Sequence, residues 1–141
     1  MEPKAFLDLA ANLKDGRNEA SWRTSVSRSY YALFNRIAQF INNNIVALSN
    51  SAEDHKKIYF YLNYCGVETV QAIAKSLNSL RVNRNDADYR LDLDRFDENC
   101  ANTAFIQARI AMQDFENAVG NAQGRKTIID GINSYKRRTN S

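Results

Sequence analysis

After Pro3 the chain carries no further proline, and only five glycines interrupt its 141 residues. Average usage would give about seven prolines and ten glycines. Sandwiches, barrels and doubly wound sheets need many tight turns, and Gly and Pro supply them. A chain so poor in both is expected to form long helices with few connections. Hydrophobic residues at 44% and charged residues at 25% match ordinary globular usage, which excludes a wholly disordered chain. The length suits one domain.

Apolar spacing places the helices. The first is expected from Pro3 to Asp15, with Phe6, Leu9 and Leu13 as its apolar face. The second runs from Ala20 to Asn43 on the stripe Trp22, Val26, Tyr30, Leu33, Ile37 and Phe40, widened by Phe34 and Ile41. Ser51 reads as the N-cap of a third helix, with Asp54 in the capping-box position and Gly66 as its stop. A fourth spans Glu68 to Asn85 on Val70, Ile73, Leu77 and Leu80. Asp88 to Asp94 then alternates polar and apolar residues, which reads as an extended segment lying on the bundle. Asp97 caps a fifth helix from Glu98 to Val119, rich in small residues along its stripe. A short last helix carries Ile128, Ile129, Ile132 and Tyr135. The expectation is an all-α, up-and-down bundle of five to six helices: one domain over residues 1–135, then a basic flexible tail, 136–141.

Several function classes lack their residues. No run of about 18 apolar residues is present, so no membrane span is expected. The N-terminus lacks the charged-then-apolar pattern of a signal peptide, and the protein is expected to be cytoplasmic with free thiols. Two cysteines and one histidine are too few for a four-ligand zinc site. Neither metal nor cofactor is expected, and no glycines are spaced to cradle a nucleotide's phosphates. The net charge of +3 is a mild basic excess, well short of a strong duplex-DNA binder's.

Arg84 is the most informative position. It continues the apolar stripe of the fourth helix, so a guanidinium points toward the interior or a cleft, where it needs an anion or a carboxylate. Either a ligand phosphate or one of Asp86, Asp88 and Asp92 meets that need. Thr24, Arg28, Tyr31 and Asn35 share one side of the second helix. A guanidinium, a phenol and an amide together suit a phosphate and a base, or else form an internally satisfied polar seam. His55, near a helix start, reads either as a general base or as an inert surface histidine, and the two thiols have no adjacent base in sequence.

Two segments together resemble a known superfamily. Ser27-Arg28-Ser29-Tyr30-Tyr31-Ala32-Leu33-Phe34-Asn35 is similar to the second-helix signature of HEPN (higher eukaryotes and prokaryotes nucleotide-binding) domains. Arg84-Asn85-Asp86-Ala87-Asp88-Tyr89 resembles their second signature, an arginine and a polar residue followed by Ala-Asp-Tyr. The resemblance covers nearly the whole chain, most closely to small stand-alone bacterial members. It implies a helical bundle that dimerises and binds RNA or a nucleotide in a cleft. It also implies a setting in antiviral defence, a toxin–antitoxin pair or a CRISPR-associated system, with an antitoxin or effector as protein partner. Many members are metal-independent endoribonucleases whose arginine is followed, four to six residues on, by a histidine. Here Tyr89 stands at the shortest such spacing and no histidine follows Arg84. Histidine can exchange protons near neutral pH, whereas an ordinary phenol titrates near pH 10.

The resemblance thus implies Arg84 and Tyr89 as candidate catalytic residues, and Arg28, Tyr31, Asn35, Arg81, Asn85 and Asp88 as candidate RNA-binding residues. A second reading is a non-catalytic helical subunit that docks on a larger effector or antitoxin. In that case Arg84 only holds the segment from Asp86 to Asp94 in place.

Overall fold

A computed structural model describes residues 1–140. Six α-helices follow one another: α1 Lys4–Lys14, α2 Glu19–Asn44, α3 Glu53–Asn63, α4 Glu68–Tyr89, α5 Glu98–Val119 and α6 Ala122–Thr139. No strand occurs among the described residues. The fold is an all-α bundle, as the scarcity of Gly and Pro requires. α2 is the central element and packs against α1, α4 and α5. Its stripe forms the centre of the core, with Val26, Tyr30, Leu33, Ile37, Phe40 and Ile41 all buried. α5 packs against α2 and buries Ala101, Ala104, Ala108 and Ala111 in the core. Side chains this small let helix backbones approach closely.

The N-caps follow local chemistry. Asn18 accepts from the Ser21 amide at 2.9 Å, Asp97 from that of Cys100 at 2.8 Å, and Asn121 from that of Gly124 at 2.6 Å. Each satisfies an amide the helix cannot pair internally. The expected cap at Ser51 does not form: α3 starts after Ala52, which has no capping side chain. Asp54 instead turns its carboxylate back to the Ser49 amide, 3.1 Å, and the Ser49 hydroxyl, 2.8 Å, closing the preceding loop. The α1 face also differs. Leu7 and Ala10 are buried while Leu9 is exposed. The Ser25 hydroxyl donates to the Ala10 carbonyl at 2.8 Å, so a buried alanine of α1 marks its contact with α2.

Two boundaries are corrected. Residues 136–139 belong to α6, not to the basic flexible tail expected over 136–141; Ser141 lies outside the described residues. α6 crosses the end of α3 at Gly131, where any Cβ would overlap the Cys65 carbonyl. Gly66, with φ +83°, takes the left-handed conformation that ends the α3 segment. The second boundary concerns 88–94, which is not an extended segment. α4 runs through Tyr89, the chain turns at Leu91 and Asp92, and 93–96 are irregular. Ala87 is buried on the core side, so the helical period persists past Asn85.

Arg23 holds that end of α4. Its side chain is only 7% exposed. Nη1 donates to the carbonyls of Ala87 at 2.9 Å and Arg90 at 3.1 Å. Nη2 donates to that of Leu93 at 2.7 Å. Nε pairs with Glu19 at 3.0 Å, and the guanidinium lies 4.5 Å from the centre of the Phe96 ring. A cation at the C-terminal end of α4 also complements the negative pole of the helix dipole.

Two stability measurements test this packing. Arg23→Met should cost about 3 kcal/mol or more in urea unfolding, because buried carbonyls lose their donors, and Arg23→Lys should restore only part of it, having no planar fork. Gly131→Ala should cost about 1–3 kcal/mol by overpacking, with increased proteolysis confined to α6.

Candidate nucleic-acid interface

α2 and α4 lie side by side, and their facing polar residues meet at one end of the pair. The Arg28 guanidinium lies 5.1 Å from the centre of the Tyr31 ring, and that of Arg84 lies 5.0 Å from the same ring. Phe6 of α1 flanks Arg28 at 5.2 Å, and Tyr89 flanks Arg84 at 5.5 Å. Two cations thus share one phenol ring, which partly offsets their desolvation through its negative face.

Hydrogen bonds tie these residues together. Arg28 donates to the Ser27 hydroxyl at 3.3 Å, and that hydroxyl donates to Asp88 Oδ2 at 3.3 Å. Arg84 Nη1 donates to Asn85 Oδ1 at 2.6 Å. Arg84 Nε lies 3.0 Å from Asp88 Oδ2. Its N–H is not aligned on that oxygen, and the buried Nε has no hydrogen-bond partner. The contact is therefore an ion pair without a hydrogen bond. The Arg84 side chain is 16% exposed, consistent with its place on the apolar stripe. Its counter-ion is Asp88; Asp86 pairs with Arg95 at 2.7 Å and Asp92 with Arg90 at 3.2 Å.

The structure therefore gathers Arg28, Tyr31, Arg84, Asn85, Asp88 and Tyr89 into one cluster. Tyr89 is 72% exposed, an open phenol at its edge. Thr24 is exposed and turns its hydroxyl to the Ala20 carbonyl at 2.7 Å, away from this group. Arg23 and Arg95 hold the loop after α4, and Arg84 pairs with Asp88 at the start of the expected extended segment.

Asn35 belongs to a different neighbourhood. It lines a cleft of about 560 Å³ between the C-terminal half of α2, the loop after it and the start of α3. His55 lines the same cleft. Its ring stacks on Phe34 at 4.3 Å, its Nδ1 is hydrogen-bonded to the Tyr30 hydroxyl, and Tyr31 meets it edge-on at 6.3 Å. The single histidine thus stands one aromatic ring away from Arg84.

Electrostatics agree with that placement. Burial holds the His55 pKa below its ordinary 6.5, and the charges of Arg81 and then Arg84 push the same way, against the opposing pull of Asp54. The imidazole is neutral at pH 7. Burial, helped by Tyr31, raises the Tyr30 pKa against the pull of Arg81 and Arg84, so Tyr30 keeps its proton. Arg81 is half-buried on α4 and makes no hydrogen bond or ion pair among the described residues. Burial also works against the Asp54 carboxylate, but donors from Ser49, Asn50 and Ser51 outweigh it and lower its pKa.

No protein-family model matches the chain, and no solved structure matches it. It is 25% identical over 140 residues to an uncharacterized protein of Methanocaldococcus jannaschii, covering 89% of this chain and 76% of that protein. No helix among the described residues is long and apolar enough to cross a membrane.

The His55 environment makes stability depend on pH. Folding favours the neutral ring, so its contribution is complete above the unfolded pKa near 6.5 and is lost as pH falls toward the lower folded value. The melting temperature should therefore drop on acidification from pH 7 to 5. His55→Phe should flatten that slope. The Asp54 contribution should survive in the variant until below pH 4, since its folded pKa lies under 3.8.

Proposed function

We propose that this chain binds RNA or a nucleotide on the α2–α4 surface, as a HEPN-type protein of a prokaryotic defence or toxin–antitoxin-like system. The observation that carries the reading is the pair of guanidiniums, Arg28 and Arg84, on the one ring of Tyr31. Each has donors not used by the protein, and Arg84 keeps an unpartnered Nε. Guanidiniums bind phosphate bidentately, and exposed phenols such as Tyr89 offer a face on which an unpaired base can stack. Asp88 is the counter-ion in the unliganded protein, and a phosphate would compete with it for Arg84.

The HEPN reading rests on the two signatures together with the bundle that presents them. It brings a homodimer with it. Leu91, 74% exposed just past the end of α4, is apolar surface that such a partner would cover.

Binding of single-stranded RNA, followed by fluorescence anisotropy with EDTA present, tests the reading. Arg28→Ala/Arg84→Ala should weaken binding to every sequence alike and make the salt dependence shallower, by about 0.7 in the log–log slope for each phosphate no longer neutralised. A folded double variant that binds like the natural protein would remove the assignment. Gel electrophoresis of the same samples reports whether the RNA is cut.

A further inference from the structure

We propose that the α2–α3 cleft is a pocket for an unpaired nucleobase, so that the protein reads base identity at a place separate from its phosphate contacts. This rests on the reading of the α2–α4 surface as an RNA- or nucleotide-binding site. The cleft, about 560 Å³, lies within the size range of small-molecule pockets. Asn35, Gln39 and Asn43 line it from successive turns of one α2 face, and Asn50 lines it from the loop opposite. None of these four carboxamides makes a hydrogen bond within the described residues. Each offers an acceptor and two donors, and a carboxamide matches the paired donor and acceptor on a base edge.

The charge pattern decides between a base and an anion. No arginine or lysine lines the cleft, while the Asp54 carboxylate does, so a phosphate would be repelled there. The cations, Arg81 and Arg84, stand beyond His55 toward α4, close enough to depress its pKa. A nucleotide with its base in the cleft therefore has its phosphate on the arginine side. His55 sits between the two. Tyr30 occupies Nδ1, which leaves the Nε2 edge for the ligand. Phe34 already stacks on one face of the His55 ring, so the polar contact that His55 offers is its Nε2 edge.

The probes are RNA decamers of A, C or U and an abasic decamer with the same ribose–phosphate backbone. The natural protein should bind at least one base-bearing decamer about tenfold more tightly than the abasic one. Asn35→Ala/Gln39→Ala/Asn43→Ala should cut that preference to about threefold or less, with affinity for the abasic decamer unchanged. Alanine favours helix, so the fold should hold. Equal binding of base-bearing and abasic decamers overturns the pocket and leaves the phosphate reading standing. A preference that survives the triple substitution overturns it too, because the base is then read elsewhere. Failure to bind any decamer, abasic included, overturns the phosphate reading and the pocket with it.

Discussion

The Arg23 guanidinium fixes where α4 stops, and the polar surface of the molecule depends on that point. An unpaired charge buried so fully would be prohibitive. Here it is met by Glu19, by backbone carbonyls of α4 and the following loop, and by the face of Phe96. The carbonyls are those that a helix end leaves without partners. One side chain on α2 thus stabilises its own charge and the terminus of a neighbouring helix. It also locks α2 and α4 in register, which brings Arg28 and Tyr31 level with Arg84.

The two arginines that continue apolar stripes have different fates. Arg23 is saturated by fixed backbone acceptors and cannot serve a ligand without the end of α4 coming apart. Arg84 is held by a neighbouring carboxylate, an aromatic face and an amide. Asp88 is a side chain on the last turn of α4, 28% exposed, and unlike a backbone carbonyl it can swing aside for a phosphate. The difference between a structural and a ligand-binding arginine is whether its acceptors can move aside.

Much of the fold is legible in the sequence because helix signals are local. The α2 stripe, the α5 small-residue face and the Asp97 cap depend on residues within a few positions of one another. The departures have tertiary causes. Asp88 to Asp94 alternates in sequence, but Ala87 packs into the core and Arg23 reaches in from a residue more than sixty positions away. The α1 stripe differs from its apolar spacing because the contact with α2 favours Ala10, which permits close approach, over the larger Leu9. Arg23 itself carries a local signal beyond the apolar spacing: it lies three residues before Val26, on the same stripe that continues to Tyr30 and Leu33, just as Arg84 follows Leu80. The candidate site is legible as two motifs, and the cluster of Arg28, Tyr31 and Arg84 follows from them. The position of His55 is not legible, because it depends on the register of α3 against α2, and no local pattern encodes that.

Tyr30 joins the two halves of the site. Its ring is buried in the core, its hydroxyl holds His55 Nδ1, and its neighbour Tyr31 carries both arginines. Because its pKa is raised by burial, Tyr30 keeps its proton and its neutral hydroxyl at physiological pH. Its bond to His55 takes up the Nδ1 edge, and burial keeps the imidazole ring uncharged at neutral pH. The arginines meanwhile keep their charge. Successive tyrosines on one helix thereby divide the labour, Tyr31 facing the cations and Tyr30 holding the neutral ring. Between them a charged ligand group and an uncharged one can be sorted to opposite sides of the same helix turn.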